Sequence, residues 1–98
     1  MNELQSRLPY VQFSSGLLEA MANPQRLEIL SILVEEEISV GVLSQRIGLS
    51  QSALSQHLSK LRGAELVVFR RDAQTIYYRC ESSDVKRLLA TLAELFPL

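Results

Sequence analysis

The sequence predicts a small, mainly α-helical domain that carries one β-hairpin. Three observations support this fold class. Apolar residues recur at helical spacing over most of the chain, capping residues separate these stretches, and one segment alternates in the manner of paired strands. The chain has 98 residues, 47% of them hydrophobic, which is enough for one core but not for two. We therefore expect residues 1–98 to form a single domain.

The first helix is predicted over residues 8–22. Phe13, Leu17 and Met21 follow one another at intervals of four residues, which places them on one face of a helix. The apolar stripe is broader than one small core requires, so part of it is expected to meet another protein surface.

The second helix is predicted to begin at Pro24, with Asn23 as its N-cap. Asparagine satisfies free backbone N–H groups at a helix start, and proline is well tolerated in the first helical turn. Three glutamates at residues 35–37 end this helix, because negative charge is unfavourable at a helix C-terminus. We expect these glutamates to form a solvated turn that faces away from any bound partner.

Two short helices follow in close succession. Gly48 is expected to end the third helix in a left-handed conformation, and Ser50 is expected to cap the fourth. The apolar residues of the third helix are Val40, Leu43 and Ile47, and those of the fourth are Leu54, Leu58 and Leu61. Both sets have helical spacing, so each predicts a helix with one buried face.

After Gly63 the pattern changes to that of extended chain. Residues 66–71 and 75–80 are rich in β-branched and aromatic residues, and a short polar connection joins them, so they predict a β-hairpin. A last helix is predicted over residues 83–96, opened by serines and Asp84. It has a wide apolar stripe.

The charges are segregated along the chain, although the net charge is only -1. Residues 44–80 carry six Lys or Arg and two acidic residues, whereas residues 1–43 carry two Arg and six Glu. A basic segment of this kind is a candidate surface for a polyanion.

Two helices joined by a glycine turn and followed by a basic hairpin have the order of a winged helix-turn-helix domain. The outer face of the fourth helix is rich in Ser and Gln and contains no acid, which favours contact with base edges over an ordinary solvated surface. Arginines on a thin hairpin favour groove or phosphate contact over simple protection of an edge strand. The predicted DNA-binding residues are Gln51, Ser52, Ser55, Gln56, Ser59, Lys60, Arg62, Arg70, Arg71 and Gln74.

Residues 22–30, 49–61 and 70–78 resemble three motifs of the ArsR/SmtB family of bacterial regulators, in the same order. Within the family the chain is most similar to members without metal sites, of the nodulation-repressor and haemolysin-regulator type. The resemblance implies a homodimer in which the first and last helices, residues 8–22 and 83–96, form the interface. The predicted interface residues are Phe13, Leu17, Met21, Leu88, Leu92, Leu95 and Phe96.

The sensing sites known from other members of the family have no counterpart in the sequence. Metal-sensing members carry a Cys-x-Cys where residues 40–42 read Val-Gly-Val, and others use histidines of a last helix that here contains none. Redox-sensing members pair two cysteines, whereas Cys80 is the only cysteine of this chain. We therefore expect no metal and no cofactor, and we expect Cys80 to be a buried, inert thiol.

The expected function is sequence-specific regulation of transcription on a pseudo-palindromic DNA operator. Repression is the first expectation and activation by displacing a silencer is the alternative. A winged-helix adaptor for proteins is the rival from another class, but it would replace the Ser/Gln face by an apolar patch. No catalytic constellation predicts an enzyme. Because no signal-peptide pattern or long apolar run occurs, we expect a cytoplasmic location without membrane contact.

Overall fold

The computed structural model of the protein describes residues 3–97, and their side chains from Leu8 onward. This part of the chain forms five helices and three strands. The elements are α1 (Glu3–Met21), α2 (Pro24–Leu33), β1 (Ile38–Ser39), α3 (Val40–Ile47), α4 (Gln51–Gly63), β2 (Val68–Asp72), β3 (Thr75–Arg79) and α5 (Ser83–Leu95). The predicted mainly α fold with a β-hairpin is confirmed.

The starts of α2, α4 and α5 lie where the sequence predicts them, whereas α1 begins at Glu3, five residues before the predicted start at residue 8. The side chains of Asn23, Ser50 and Ser82 accept hydrogen bonds from backbone N–H groups three residues later, at the starts of α2, α4 and α5. Such caps satisfy donors that the helix itself leaves free. Ser39 caps α3 in the same way.

The ends of α3 and α4 have one geometry but are made by different residues. Gly48 adopts the predicted left-handed conformation, with φ +77°. After α4 the left-handed residue is Glu65, with φ +61°, and the N–H of Leu66 bonds the carbonyl of Leu61. The sequence indicated Gly63 as the end of α4, and the helix ends there, but the left-handed residue that follows it, Glu65, was not predicted.

The strands form an antiparallel sheet in the order β1-β3-β2. The pair β2–β3 is the predicted hairpin, with Arg70 opposite Tyr77 and a turn at residues 73–74. Strand β1 was not predicted, because two residues carry no alternation pattern of their own. It pairs Ile38 with Tyr78 and attaches the hairpin to the helices.

One core joins the helices and the base of the sheet. Its fully buried large side chains are Ile29, Leu30, Leu33, Leu43, Leu54, Leu58, Leu61 and Val85. The predicted buried residues of α4 are confirmed, since Leu54, Leu58 and Leu61 are all at most 2% exposed. Burial of large apolar side chains on this scale is the main stabilising contribution to the fold.

The acidic turn before β1 differs from the prediction. Glu36 pairs with Arg46 of α3, and Glu37 pairs with Arg70 and Arg79 of the hairpin. The glutamates therefore do not form a merely solvated turn, because two of the three connect it to neighbouring elements.

The protomer is elongated, with extents of 52 × 33 × 20 Å and a radius of gyration of 15.2 Å. A compact domain of this length has a radius of gyration of about 13 Å. Residues 8–13 of α1 contribute to this shape and expose Leu8, Tyr10, Val11 and Phe13 to solvent. Among residues 3–97, no helix combines the length and hydrophobicity that a membrane span requires.

Candidate nucleic-acid interface

The outer face of α4 is the most distinctive polar surface of the molecule. The predicted reading residues on this face, all of them exposed, are Gln51, Ser52, Ser55, Gln56 and Ser59. Their hydroxyl and amide groups both donate and accept hydrogen bonds, as recognition of base edges in the major groove requires. No acidic residue occurs between residues 51 and 63 that would repel phosphate.

The turn between α3 and α4 fixes the position of that face. The hydroxyl of Ser44 donates to the carbonyl of Leu49, while the N–H of Gly48 bonds the carbonyl of Ser44. Ser44 therefore connects both sides of the turn. Nothing in the sequence pattern marks this residue, because a serine within a helix is unremarkable without knowledge of its partner.

The hairpin β2–β3, which we call the wing, places its two neighbouring arginines on opposite faces. Arg70 lies across from Tyr77, and Arg71 lies across from Ile76. Successive residues of a strand alternate between faces, so Arg71 shares its face with Phe69 and Tyr78. These two aromatic residues contact Arg62 of α4. Arg71 is exposed, and no ion-pair partner occurs for it among the described side chains.

Arg70 has two partners within the protein, although its side chain is 50% exposed. Its Nε donates to Oε1 of Glu37 at 2.7 Å, and its guanidinium carbon lies 4.4 Å from the centre of the Tyr77 ring. The other carboxylate oxygen of Glu37 lies 3.3 Å from Nη1 of Arg79. A hydrogen bond to Glu81, together with the charges of Glu81 and Glu37, raises the pKa of Arg79.

Two further cations of the predicted DNA-binding set also have intramolecular partners. Nζ of Lys60 lies 3.2 Å from Oε1 of Glu19 at the end of α1. Arg62 donates to the hydroxyl of Tyr78 at 3.2 Å, and its guanidinium carbon lies 5.4 Å from the centre of the Phe69 ring. Arg62 thus connects the C-terminal end of α4 to both strands of the wing.

A cleft of about 870 Å³ separates α3 and α4 from the wing. Four of the predicted DNA-binding residues line it, namely Gln51, Ser55, Arg62 and Gln74. The fold therefore brings residues that lie 23 positions apart in sequence to one concave surface. Ser59 and Lys60 do not line this cleft.

The predicted interface residues fall into three groups by exposure. Phe13, Leu92, Leu95 and Phe96 are exposed, at 79%, 36%, 64% and 74%. Leu17 and Leu88 are half-buried and line a groove of about 760 Å³ between α1 and α5. Met21 differs, because it is only 4% exposed and belongs to the core of its own protomer.

Cys80 is 4% exposed, which confirms the prediction of a buried thiol. Burial raises its pKa, because the interior disfavours the charged thiolate. Within residues 3–97 the structure shows no group of three or more His, Cys, Asp or Glu side chains arranged to hold a metal ion.

Residues 23–68, from the cap of α2 to the start of β2, match the sequence model for the bacterial regulatory protein arsR family. The nodulation protein NolR of Rhizobium meliloti is 56% identical over 85 residues, which cover 87% of this chain and 70% of the relative. The transcriptional activator HlyU of Vibrio cholerae is 52% identical over 80 residues, covering 82% of this chain and 74% of the relative.

The crystal structure of NolR from Sinorhizobium fredii has the same fold. It superposes with a TM-score of 0.88 at 51% identity, and the match covers 98% of this chain and 94% of that one. The family's regulators control transcription and are not enzymes. The chain therefore belongs to the ArsR family of bacterial regulatory proteins, and it is a winged-helix, DNA-binding regulator of transcription.

Proposed function

We propose that the chain binds a pseudo-palindromic operator as a homodimer and represses transcription from the neighbouring promoter. The observation that carries this proposal is the exposed, acid-free Ser/Gln face of α4, which stands beside the wing. A face of this chemistry suits the major groove, and a wing with an exposed arginine suits the flanking backbone or minor groove.

The DNA-binding residues of the proposal divide by chemistry. Gln51, Ser52, Ser55, Gln56, Ser59 and Gln74 offer neutral donors and acceptors that can discriminate bases. Arg71 offers an exposed charge to the phosphates. Lys60, Arg62 and Arg70 already have partners, so each must exchange or share a partner to reach DNA.

The proposed dimer buries the apolar faces of α1 and α5 against their copies. Phe13 and Phe96 are more than 70% exposed in the protomer, and exposed aromatic side chains on adjacent helices are typical of an interface. A two-fold axis between residues 8–22 and 83–96 of two protomers presents two α4 helices to DNA. Half-sites about 34 Å apart would then lie in successive major grooves.

Repression follows from occupancy, because a dimer on a promoter excludes the polymerase. Activation by displacing a silencer is the second candidate, and it is favoured by the name of one relative, the transcriptional activator HlyU. Both activities require access to chromosomal DNA, so we place the protein in the bacterial cytoplasm.

The test begins with selection of duplexes from a random-sequence library by the purified protein. We expect an enriched site with two-fold symmetry, bound by two protomers in sedimentation experiments. Transcription in vitro from a promoter carrying that site should fall as protein is added. A rise in transcription only when a silencer protein is present would favour activation, and the absence of any enriched site would refute the proposal.

A further inference from the structure

We propose that Glu37 is the positioning residue of the wing, because its carboxylate holds Arg70 and Arg79 so that Arg71 is the wing arginine presented to DNA. This inference rests on the proposed DNA-binding role of the wing. Glu37 lies outside the helix-turn-helix and outside the hairpin, and it has no contact with DNA in the proposal.

The Glu37 carboxylate connects all three strands of the sheet. Glu37 directly precedes β1, and continuing the register in which Ile38 lies opposite Tyr78 places Glu37 opposite Arg79 of β3. From that position one carboxylate oxygen lies 3.3 Å from Arg79, and the other accepts a hydrogen bond from Arg70 of β2 at 2.7 Å. A single side chain at the base of the sheet thus reaches its far edge.

On this face of the wing, the other ion pair among the described side chains is that of Arg79 with Glu81, which follows the hairpin and does not attach it to another element. Every residue of β2, Val68–Asp72, is exposed, and β2 has only β3 as a strand neighbour. Strand β1 contributes just two residues to the sheet. An isolated two-stranded ribbon is marginally stable in water, so side-chain contacts at its base strongly affect its orientation.

The contacts of Arg70 attach the wing to Glu37. Its guanidinium stacks on the Tyr77 ring while it bonds to a carboxylate that is only 26% exposed. Arg70 is itself 50% exposed, so it differs from Arg71 in having its charge neutralised by Glu37 and not in being buried. Arg71 lies on the opposite face, where it is exposed. Two adjacent arginines therefore have different roles.

The first test compares Glu37→Gln with Glu36→Gln, using a duplex selected from a random library and a scrambled duplex of equal composition. Both variants remove one negative charge, but the pair of Glu36 is with Arg46 of α3 and not with the wing. We expect Glu37→Gln to weaken binding to the selected duplex about threefold to fivefold, the range that one partly exposed ion pair supports. Glu36→Gln should bind as tightly as the parent or slightly more tightly.

The second test measures how the dissociation constant depends on salt. If Arg70 is an anchor, Arg70→Gln should leave the slope of log Kd against log salt unchanged, and the Glu37→Gln/Arg70→Gln double variant should bind no more weakly than either single variant. Arg71→Gln should lower the slope by about one. If Glu37→Gln instead tightens binding to both duplexes and steepens the slope, Glu37 masks Arg70 and the inference is wrong.

The third test needs no DNA. Heteronuclear NMR relaxation should show increased motion of the amides at residues 69–77 in Glu37→Gln but not in Glu36→Gln, while circular dichroism shows both variants to be folded. Wing amides that are as rigid as in the parent would overturn the inference. If the parent binds no selected duplex, the proposed function fails, and this measurement still decides whether Glu37 holds the wing.

Discussion

Gln56 lies at the centre of the exposed polar face of α4, where the proposal places base contacts. A side-chain amide that bonds a base edge discriminates by about 1–3 kcal/mol. We therefore expect Gln56→Ala to lower affinity for the selected operator about fivefold to a hundredfold and to change affinity for scrambled DNA little. Titration of both duplexes measures the difference, with Gln25→Ala on α2 as a control. Equal loss on both duplexes would contradict a reading role.

Arg71 is expected to act through charge alone. Arg71→Ala should weaken binding to operator and scrambled DNA by similar factors and should lower the salt slope by about one. Gel-shift titrations at several salt concentrations give both quantities. A variant that lost discrimination between the duplexes and kept the parent's slope would show that Arg71 reads bases.

Cys80 should be chemically inert in the folded protein, because burial holds its pKa above the ordinary value of a thiol. We expect alkylation by iodoacetamide at neutral pH to be slow, and to become fast in denaturing urea. Zinc, copper, arsenite and mild oxidant should leave operator affinity unchanged. A tenfold effect, about 1.4 kcal/mol, of any of them in the parent but not in Cys80→Ser would make Cys80 a sensor.

Predictions for single residues were accurate where a residue type strongly prefers one position at the end of a helix. Asn23, Gly48 and Ser50 occupy the predicted capping positions for that reason. The partners of charged residues were not predictable. The contacts of Glu37 with Arg70 and Arg79 depend on pairings between segments more than 30 residues apart, and sequence spacing does not encode such pairings.

At the scale of elements, α3 and α4 are each followed by a residue in the left-handed conformation, but only one of these residues is suited to it. Gly48 suits its left-handed conformation, whereas Glu65 carries a Cβ in the same region of φ. We expect Gly48→Ala to lower the free energy of unfolding by about 1 kcal/mol and Glu65→Gly to raise it by up to about 1 kcal/mol. Urea denaturation measures both changes.

The expected effect of Gly48→Ala comes from the backbone conformation and not from a steric clash, because a Cβ at Gly48 would meet no atom within 4 Å. Gly41→Ala is the matched control. Gly41 is a helical glycine with equally open surroundings and without the left-handed φ, so alanine there should stabilise the protein by about 0.5–1 kcal/mol. Stabilisation by both alanines would show that φ does not decide the effect at Gly48.

The elements that could be predicted are those that the local sequence marks. Helices α3, α4 and α5 repeat apolar residues at helical spacing, so their positions follow from local sequence. Helix α2 was placed by its Asn23–Pro24 start, and the hairpin by its β-branched and aromatic residues. Strand β1 exists only because Tyr77 and Tyr78 of β3 lie beside it. The end of α4 at Gly63 was predicted, but the left-handed turn at Glu65 was not, because glutamate rarely adopts that conformation.

At the scale of the whole molecule, the apolar faces of α1 and α5 support the proposed dimer. Phe13→Glu or Leu92→Glu would bury an unpaired carboxylate at the two-fold axis. Either variant should therefore raise the dissociation constant of the dimer at least tenfold, which corresponds to about 1.4 kcal/mol. Sedimentation equilibrium measures the constant. Val42→Glu, at a comparably exposed position on α3, should remain dimeric. Dimers of undiminished stability in the first two variants would place the interface elsewhere.

If the proposed dimer forms, the projecting N-terminal part of α1 makes operator occupancy depend on the concentration of the protein. Residues 8–13 expose four large apolar side chains, which the rest of the described part of the chain leaves uncovered. In the proposed dimer a second copy covers them, so partner binding adds mass-action stabilisation and the melting temperature should rise with protein concentration. Below the dissociation constant of the dimer, operator occupancy then grows with the square of the chain concentration. A modest change in synthesis or degradation of the chain would in that regime produce a sharp change in promoter output, without any bound inducer.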